Sequence, residues 1–588
     1  MIRTAFVSLL LLLAAACGSG SGGAADAPAD VSLVLTDGAT DELAVFEVDV
    51  KDVVFTKVNG NTIDVLPRRT RIDFLQLESL GELVAGRALE SGAYRRITLN
   101  LDFTDARVVL AGQATPAVVK DRAGHAITGV VPVVVEFPNG SRPFVRGGRH
   151  NLFVLDLDLD RSVVVDAGAN EVTFTPVWTV DVDPTNPKPV ASNGTLNSVD
   201  LGAGTFVVDR RAPDDTLIGS FTVATTSATV FQIDGAVEVG ATGLGSMVGH
   251  LGQRVFVQGG LRERDRVLTA VAVEIGAGVP GNGQDWVLGH VVARSGGVGA
   301  DATISVLGRS FDVATGTRRF HTVHAVNTSF ADTKVLRRGA GNGADADAIG
   351  IGQLVWAFGD LSSTTLDATA TTGVVRLLPT GIFGIANGPA SGGNLSLDLA
   401  RFDRVPVSEF DFTVGGAAQA DPDAFVLDLG GLSAAGIGAG SKVRALGWIA
   451  GVGATGADAT AVSLVNRDVT AQVLFCEWSP AATAVLSGPN NGTLELDISA
   501  ATTHTVADGF GSVALSASPA PRLAPSGSLG FYGIVVDGAL ESFTSFSAFR
   551  SALLDHAETH PVFRVTAFGR LEGASQRFAA IAATAVLD

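Results

Sequence analysis

Apolar and polar residues alternate along most of this chain, in short runs broken by Gly, Asn, Asp and Pro. A period of two puts every second side chain on one face of an extended strand. The run Leu43-Ala-Val-Phe-Glu-Val-Asp-Val-Lys-Asp-Val-Val-Phe55 shows it, and Gly60-Asn61 marks the turn that follows. Val31 to Leu35, Gly92 to Leu101, Val130 to Glu136, Asn151 to Asp160 and Glu171 to Val182 read the same way. Glu78 to Leu89 is the one segment of this region whose composition predicts a helix. About seven or eight strands in residues 31–183 predict a β-sandwich.

Beyond Pro184-Thr-Asn-Pro-Lys-Pro189 the strands shorten and Gly becomes more frequent. Residues 184–193 read as a stiff linker. One pattern then recurs, roughly every 100 residues. Val255-Phe-Val-Gln-Gly259 returns as Val355-Trp-Ala-Phe-Gly359, Val443-Arg-Ala-Leu-Gly447 and Val565-Thr-Ala-Phe-Gly569. Each copy is followed by turn residues and a second run rich in Ala, Thr and Val, which is a hairpin pattern. Two further landmarks accompany it. Ala228-Thr-Val-Phe231 matches Asn327-Thr-Ser-Phe330, and Gly194, Gly289, Gly381 and Gly492 each lead a first strand. Four small antiparallel β-barrels or sandwiches are predicted, over 194–279, 280–379, 380–468 and 469–588. The last contains one short helix, Ser545 to His560, with Phe546, Phe549 and Leu553 on one face, Thr544 or Ser545 as cap and Pro561 after its end. The expected fold class is all-β and multi-domain.

The 588 residues exceed what one core can serve, and their hydrophobic content excludes a disordered chain. A net charge of −19 repels phosphate backbones, so nucleic acid is not an expected partner. The two cysteines, Cys17 and Cys476, leave no internal disulfide in the folded body and no cysteine zinc site. Cys476, in Val-Leu-Phe-Cys-Glu-Trp, reads as a small buried hydrophobe.

The chain opens with Arg3 and an apolar run, Ala5 to Ala16, too short to span a bilayer and of signal-peptide length. It ends Leu13-Ala-Ala-Ala16-Cys17-Gly18. Small residues directly before a cysteine resemble a bacterial lipobox, although Ala14 stands where leucine is usual. Ala14-Ala-Ala16 also suits ordinary signal peptidase, and both routes cut before Cys17. Residues 1–16 are then a signal peptide, Cys17 the lipid attachment site and 17–30 a flexible tether. Gly18 resembles the sorting signal for an outer membrane in a Gram-negative cell.

Leu35-Thr-Asp-Gly-Ala39, Gly92-Ala-Tyr-Arg-Arg-Ile97, Leu157-Asp-Leu-Asp160-Arg-Ser162 and Thr175-Pro-Val177 resemble the bacterial family called domain of unknown function 4382. Its members are mostly predicted lipoproteins, which agrees with Cys17, and it implies no activity. The four repeats resemble domain of unknown function 5666, which has a Gly-led first strand, a Thr-x-Phe element and a closing Val-x-x-x-Gly hairpin.

Reactive chemistry is sparse. Asp156, Asp158 and Asp160 would share one strand face about 7 Å apart, a calcium row that Asp37 or Asp41 could complete. Calcium needs six to eight converging oxygens, so a solvated face is the expected reading. Arg68, Arg69 and Arg71 read as a solvated loop. His556 and His560 have the helical spacing of a metal pair, but no third ligand is evident. His321 and His324 fall on opposite faces of a strand. Gly276-Ala-Gly-Val-Pro-Gly281 has dinucleotide-loop spacing without a following helix, and Gly339 to Asp347 resembles one isolated calcium turn, expected to be a mobile loop. No catalytic residue, metal site or cofactor is assigned. The expected function is a non-enzymatic envelope lipoprotein, exported and anchored by its lipid, with a binding or scaffolding role toward a protein or polysaccharide. The alternative is a metal-binding or hydrolytic envelope protein using Asp156, Asp158 and Asp160 or His556 and His560.

Overall fold

Strand Ala29–Gly38 lies in the middle of the first sheet, parallel to His150–Asp158 on one side and antiparallel to Gly81–Leu89 on the other. The computed structural model describes residues 29–588, except 39–41, 67–68, 78–80, 138–141, 147–149, 177, 183–188, 212–216, 262–266, 277, 280–282, 341–342, 371, 468–471, 490–491, 508–511, 528–529, 537–538 and 573–575. Cys17 and most of the Pro-rich segment lie outside the described residues. Opposite the first sheet, Leu43–Lys57 and Gly92–Leu110 pair antiparallel in a second. Alternation does the rest. Leu33, Leu35, Phe153 and Leu155 point inward from one sheet, Phe46, Val48, Phe55 and Leu99 from the other. Phe55 meets Phe153 edge-on across the gap, with ring centres 5.0 Å apart. This is the expected sandwich, and the molecule as a whole is all-β.

The helix predicted over Glu78 to Leu89 is instead the strand Gly81–Leu89. Its Ala, Leu and Glu are good helix formers, but local propensity is readily overridden by tertiary context, and Gly81 and Gly86 reduce it. Both its edges are claimed by neighbours. Ala29–Gly38 pairs with one, and Val190 and Ala191 pair parallel with the other, opposite Gly81 and Glu82. Tertiary pairing therefore overrides local preference.

That parallel contact carries the first sheet onward. Four strands of the N-terminal domain and seven from 190–275 make one 11-stranded sheet. The second sheet continues likewise into the C-terminal region. Ala539–Glu541 pairs parallel with Val134–Glu136, giving a 16-stranded sheet. Each sheet of the sandwich is thus extended by a different module. The stiff linker expected over 184–193 therefore ends within a shared sheet, since Val190 and Ala191 already pair with Gly81 and Glu82.

Modules 1, 2 and 3 are closed five-stranded rings. In module 1 the ring runs 190–200, 205–211, 217–224, 268–275, 254–261 and back to 190–200. Module 2 runs 285–295, 302–311, 318–328, 365–367, 354–362 and back. Module 3 runs 380–386, 394–402, 425–428, 459–466, 442–449 and back. Each has one parallel seam, where the last strand meets the third, in an otherwise antiparallel barrel. Closure leaves these strands few bare edges.

The repeated glycines sit where two backbones nearly touch. A Cβ built on Gly259, Gly359, Gly447 or Gly569 would lie 2.0, 2.2, 2.5 or 2.1 Å from a carbonyl oxygen of the facing strand. In modules 1, 3 and 4 the register slips at that glycine, so one residue of the last strand is left unpaired. These bulged residues, Val271, Val462 and Ile581, turn out to solvent. In module 2 the hairpin strand changes partner there, from 374–378 to 365–367.

Two landmarks shift. The residues paired with Val255, Val355 and Val443 are Gly194, Gly289 and Gly384, so Gly384 rather than Gly381 is the third member. In the fourth module Cys476 takes that place opposite Val565, not Gly492. The pairings among the described residues of module 4 leave its ring open. The equivalent threonines are Thr229 and Thr333, whose hydroxyls donate to the Ala270 and Ala368 carbonyls at 2.7 Å. The Thr-x-Phe match had aligned Thr229 with Thr328. Helix Phe546–Ala557 is present, capped by Ser545, with Phe546, Phe549 and Leu553 buried as its spacing predicts. A shorter helix, Ala241–Ser246, was not anticipated.

Gly259 and Gly260 are adjacent, but a Cβ on Gly260 meets nothing within 4 Å. Gly259→Ala should therefore destabilise module 1 by about 2 kcal/mol or more, as overpacked sites do, while Gly260→Ala stays within about 0.5 kcal/mol. Hydrogen exchange of residues 190–275 in the two variants reads the difference.

Candidate functional site

About half of the buried charged side chains among the described residues lie where modules meet. At the junction of the N-terminal domain and module 1, Arg210 Nη1 is 2.7 Å from Glu82 Oε1. Burial pushes the Glu82 carboxyl up, and Arg210 offsets part of that. Between modules 1 and 2, Glu274 accepts from Arg338 Nε at 2.8 Å and Nη2 at 3.3 Å, and lies 3.2 Å from Arg376 Nη1. Arg376 is completely buried. It also donates to Gln232 and to the Gly278 carbonyl. Gln232 passes the chain on to the Arg337 carbonyl at 3.0 Å. Burial lowers the Arg376 guanidinium to about 10, with Glu274 acting against the shift.

Module 2 meets the N-terminal domain through Arg318, which donates to both oxygens of Glu47 at 3.2 and 3.0 Å, and through Arg309, 2.5 Å from Asp73. Phe320 packs on Val45 and Val109 between them. Modules 2 and 3 are joined by hydrogen bonds from Ile351 N to Gln419 and from Ile449 N to Gln353, at 3.0 and 3.1 Å. His290 stands between the Gly352 carbonyl, 3.0 Å from Nδ1, and Asp403 Oδ2, 3.1 Å from Nε2. The second contact is off the hydrogen-bonding line. Module 4 adds Val535, Leu540 and Val586 to the N-terminal core, and Arg122 lies 2.6 Å from Asp588.

Such pairs add little net stability, because desolvation offsets the attraction. Leaving one member unpaired is another matter, since a bare buried charge costs several kcal/mol. A module docked in a wrong rotation would strand Glu274 and Arg376 together. The joints therefore select one arrangement of the modules, and that is what this geometry does chemically.

The residues singled out from the sequence are scattered. Asp156 is half-buried and accepts from the Thr36 hydroxyl. The strand ends at Asp158, and Leu159–Ser162 is a helical turn, so Asp160 leaves the predicted row. The side chains of Asp158 and Asp160 lie outside the described residues. His556 and His560 have ring centres 6.1 Å apart, with His556 Nε2 3.4 Å from Glu541. Among the described residues no three His, Cys, Asp or Glu side chains are placed to hold a metal. Arg71 is half-buried on the strand Thr70–Asp73 rather than in a solvated loop. It makes two hydrogen bonds to Asp49, at 2.9 and 3.1 Å, and that carboxylate raises its guanidinium value. Arg69 reaches the same carboxylate at 3.1 Å, and Arg68 lies outside the described residues. Asp345 caps a short 3-10 turn, Ala346–Ala348, and Asp347 pairs with the buried Arg294 at 3.4 Å. After Gly276 to Gly281 comes the strand Asp285–Ser295. Cys476 is fully buried, and burial pushes its thiol up to about 12, so it is not a nucleophile at neutral pH.

Sequence reasoning missed the joint residues. A signal was present, in charged residues placed inside apolar runs, such as Arg376 in Val374-Val-Arg-Leu-Leu378. Residues 28–176 match the family described as Domain of unknown function (DUF4382). The N-terminal domain is thus similar to that family, over about a quarter of the chain. No curated protein matches the chain.

Glu274→Gln should open the joint between modules 1 and 2 by about 3 kcal/mol or more, the usual result of removing one partner of a buried pair. Faster hydrogen exchange in 230–239 and 374–378 would report it. Replacing Glu274, Arg338 and Arg376 together by Met should recover most of the loss.

Proposed function

We propose that this chain is a non-enzymatic scaffold of the bacterial cell envelope, lipid-anchored at Cys17 and presenting a rigid array of β-modules to a protein or polysaccharide partner. The observation that carries the scaffolding part is the continuation of each sandwich sheet into a different module, with ion pairs at the joints. Buried charge spent on joints between modules supports a chain organised for shape. The anchoring part rests on the leader and its lipobox-like end, and the predicted lipoprotein character of families resembling the N-terminal domain agrees with it. The repeats' resemblance to domain of unknown function 5666 supports the same reading. An acidic surface argues against nucleic acid.

Cys17→Ser should abolish palmitate labelling and release the protein from the membrane fraction. Labelling that survives the substitution would remove the anchor from the proposal. Stoichiometric bound metal in the purified protein would overturn the non-enzymatic part in favour of a metal-dependent one.

A further inference from the structure

His324 stands inside module 2 with nothing to bond. It lies on the strand Arg318–Thr328 opposite Val306 and is fully buried. Neither ring nitrogen has a hydrogen-bond partner among the described residues. The facing strand Ala302–Phe311 presents Val306, and the Thr364 backbone, the one group that favours a second proton, does so least of the groups acting on the ring and makes no hydrogen bond with it. The charged group that acts on the ring is a cation, Arg319, and no carboxylate does. A second proton would therefore arrive in an apolar barrel, beside a like charge, with no acceptor waiting for it.

We infer that His324 makes module 2 the acid-sensitive part of this chain, so that mild acid opens this barrel and loosens what is docked on it. The consequence reaches beyond one module. Module 2 carries Arg309 and Arg318 toward the N-terminal domain, Arg338 and Arg376 toward module 1, and His290 and Gln353 toward module 3. A barrel that opens releases all three contacts. This stands independently of the anchoring proposal, because it concerns the fold of the exported body alone.

The direction follows from linkage. Burial first, and Arg319 second, hold the imidazole down to about 4, against about 6.5 when free. As pH falls, the open chain takes the proton before the closed one does. The stabilising contribution is complete above pH 6.5, declines between about 6.5 and 4, and falls no further below that. At pH 5 the opening equilibrium should be raised roughly 30-fold over neutral pH.

Hydrogen exchange on the full chain, compared at pH 7.5 and 5.0 after correction for intrinsic exchange, tests this. Protection in residues 285–378 should fall by roughly 30-fold at pH 5.0 in the natural protein, and more than in 472–587. His324→Leu should abolish that extra loss, and His324→Gln, which also takes no proton, serves if the leucine variant fails to fold. His321→Gln, at the exposed neighbouring histidine, should behave as the natural chain does. Unchanged protection of module 2 at pH 5.0, or an extra loss that persists in the His324 variants, would overturn the inference.

Discussion

Every strand edge carries N–H and C=O groups that must find partners, and this constraint organises the molecule. Within modules 1, 2 and 3 the answer is closure, with five strands returning on themselves. Between domains the answer is sharing. Gly81–Leu89 gives its free edge to Val190, and Val130–Glu136 gives its own to Ala539–Glu541. The N-terminal sandwich thereby becomes the place from which both ends of the repeat array grow. Shared backbone pairing ties modules in a way that a linker does not, because it fixes both distance and direction.

The side chains at the joints refine what the backbone begins. Glu82 with Arg210, Glu274 with Arg338 and Arg376, and Glu47 with Arg318 each need a partner supplied by another module. Their value lies in the penalty for misdocking. The same logic, inverted, applies to His324. It is a buried ionisable group without a hydrogen-bond partner among the described residues, so it sets a condition on pH instead of a condition on orientation.

The repeated Gly opposite Ala is a second economy of the fold. A small barrel with a parallel seam must bend its last strand sharply, and a bulge does this when the facing position has no side chain. Gly259, Gly447 and Gly569 supply that space, and Gly359 supplies it at a change of strand partner. None of them needs a left-handed backbone, so close approach alone explains the residue. Where the ring stays open, in module 4, a cysteine occupies a position that is glycine elsewhere.

The alternation of apolar residues, the Pro and Gly punctuation and the recurring Val-x-x-x-Gly hairpin were enough to determine an all-β chain with a sandwich and four repeats. They were enough also for the capped helix at Phe546. Those features are local, and their cause lies within a few residues of their effect. What the sequence could not decide is non-local. That Gly81–Leu89 is a strand depends on partners 50 residues before it and 100 after it. That Arg71 is half-buried and Arg376 fully buried depends on carboxylates from distant strands, and that Gly384 matches Gly194 depends on barrel register. Pairing energy belongs to two segments at once, so only the tertiary structure brings both sides of it together.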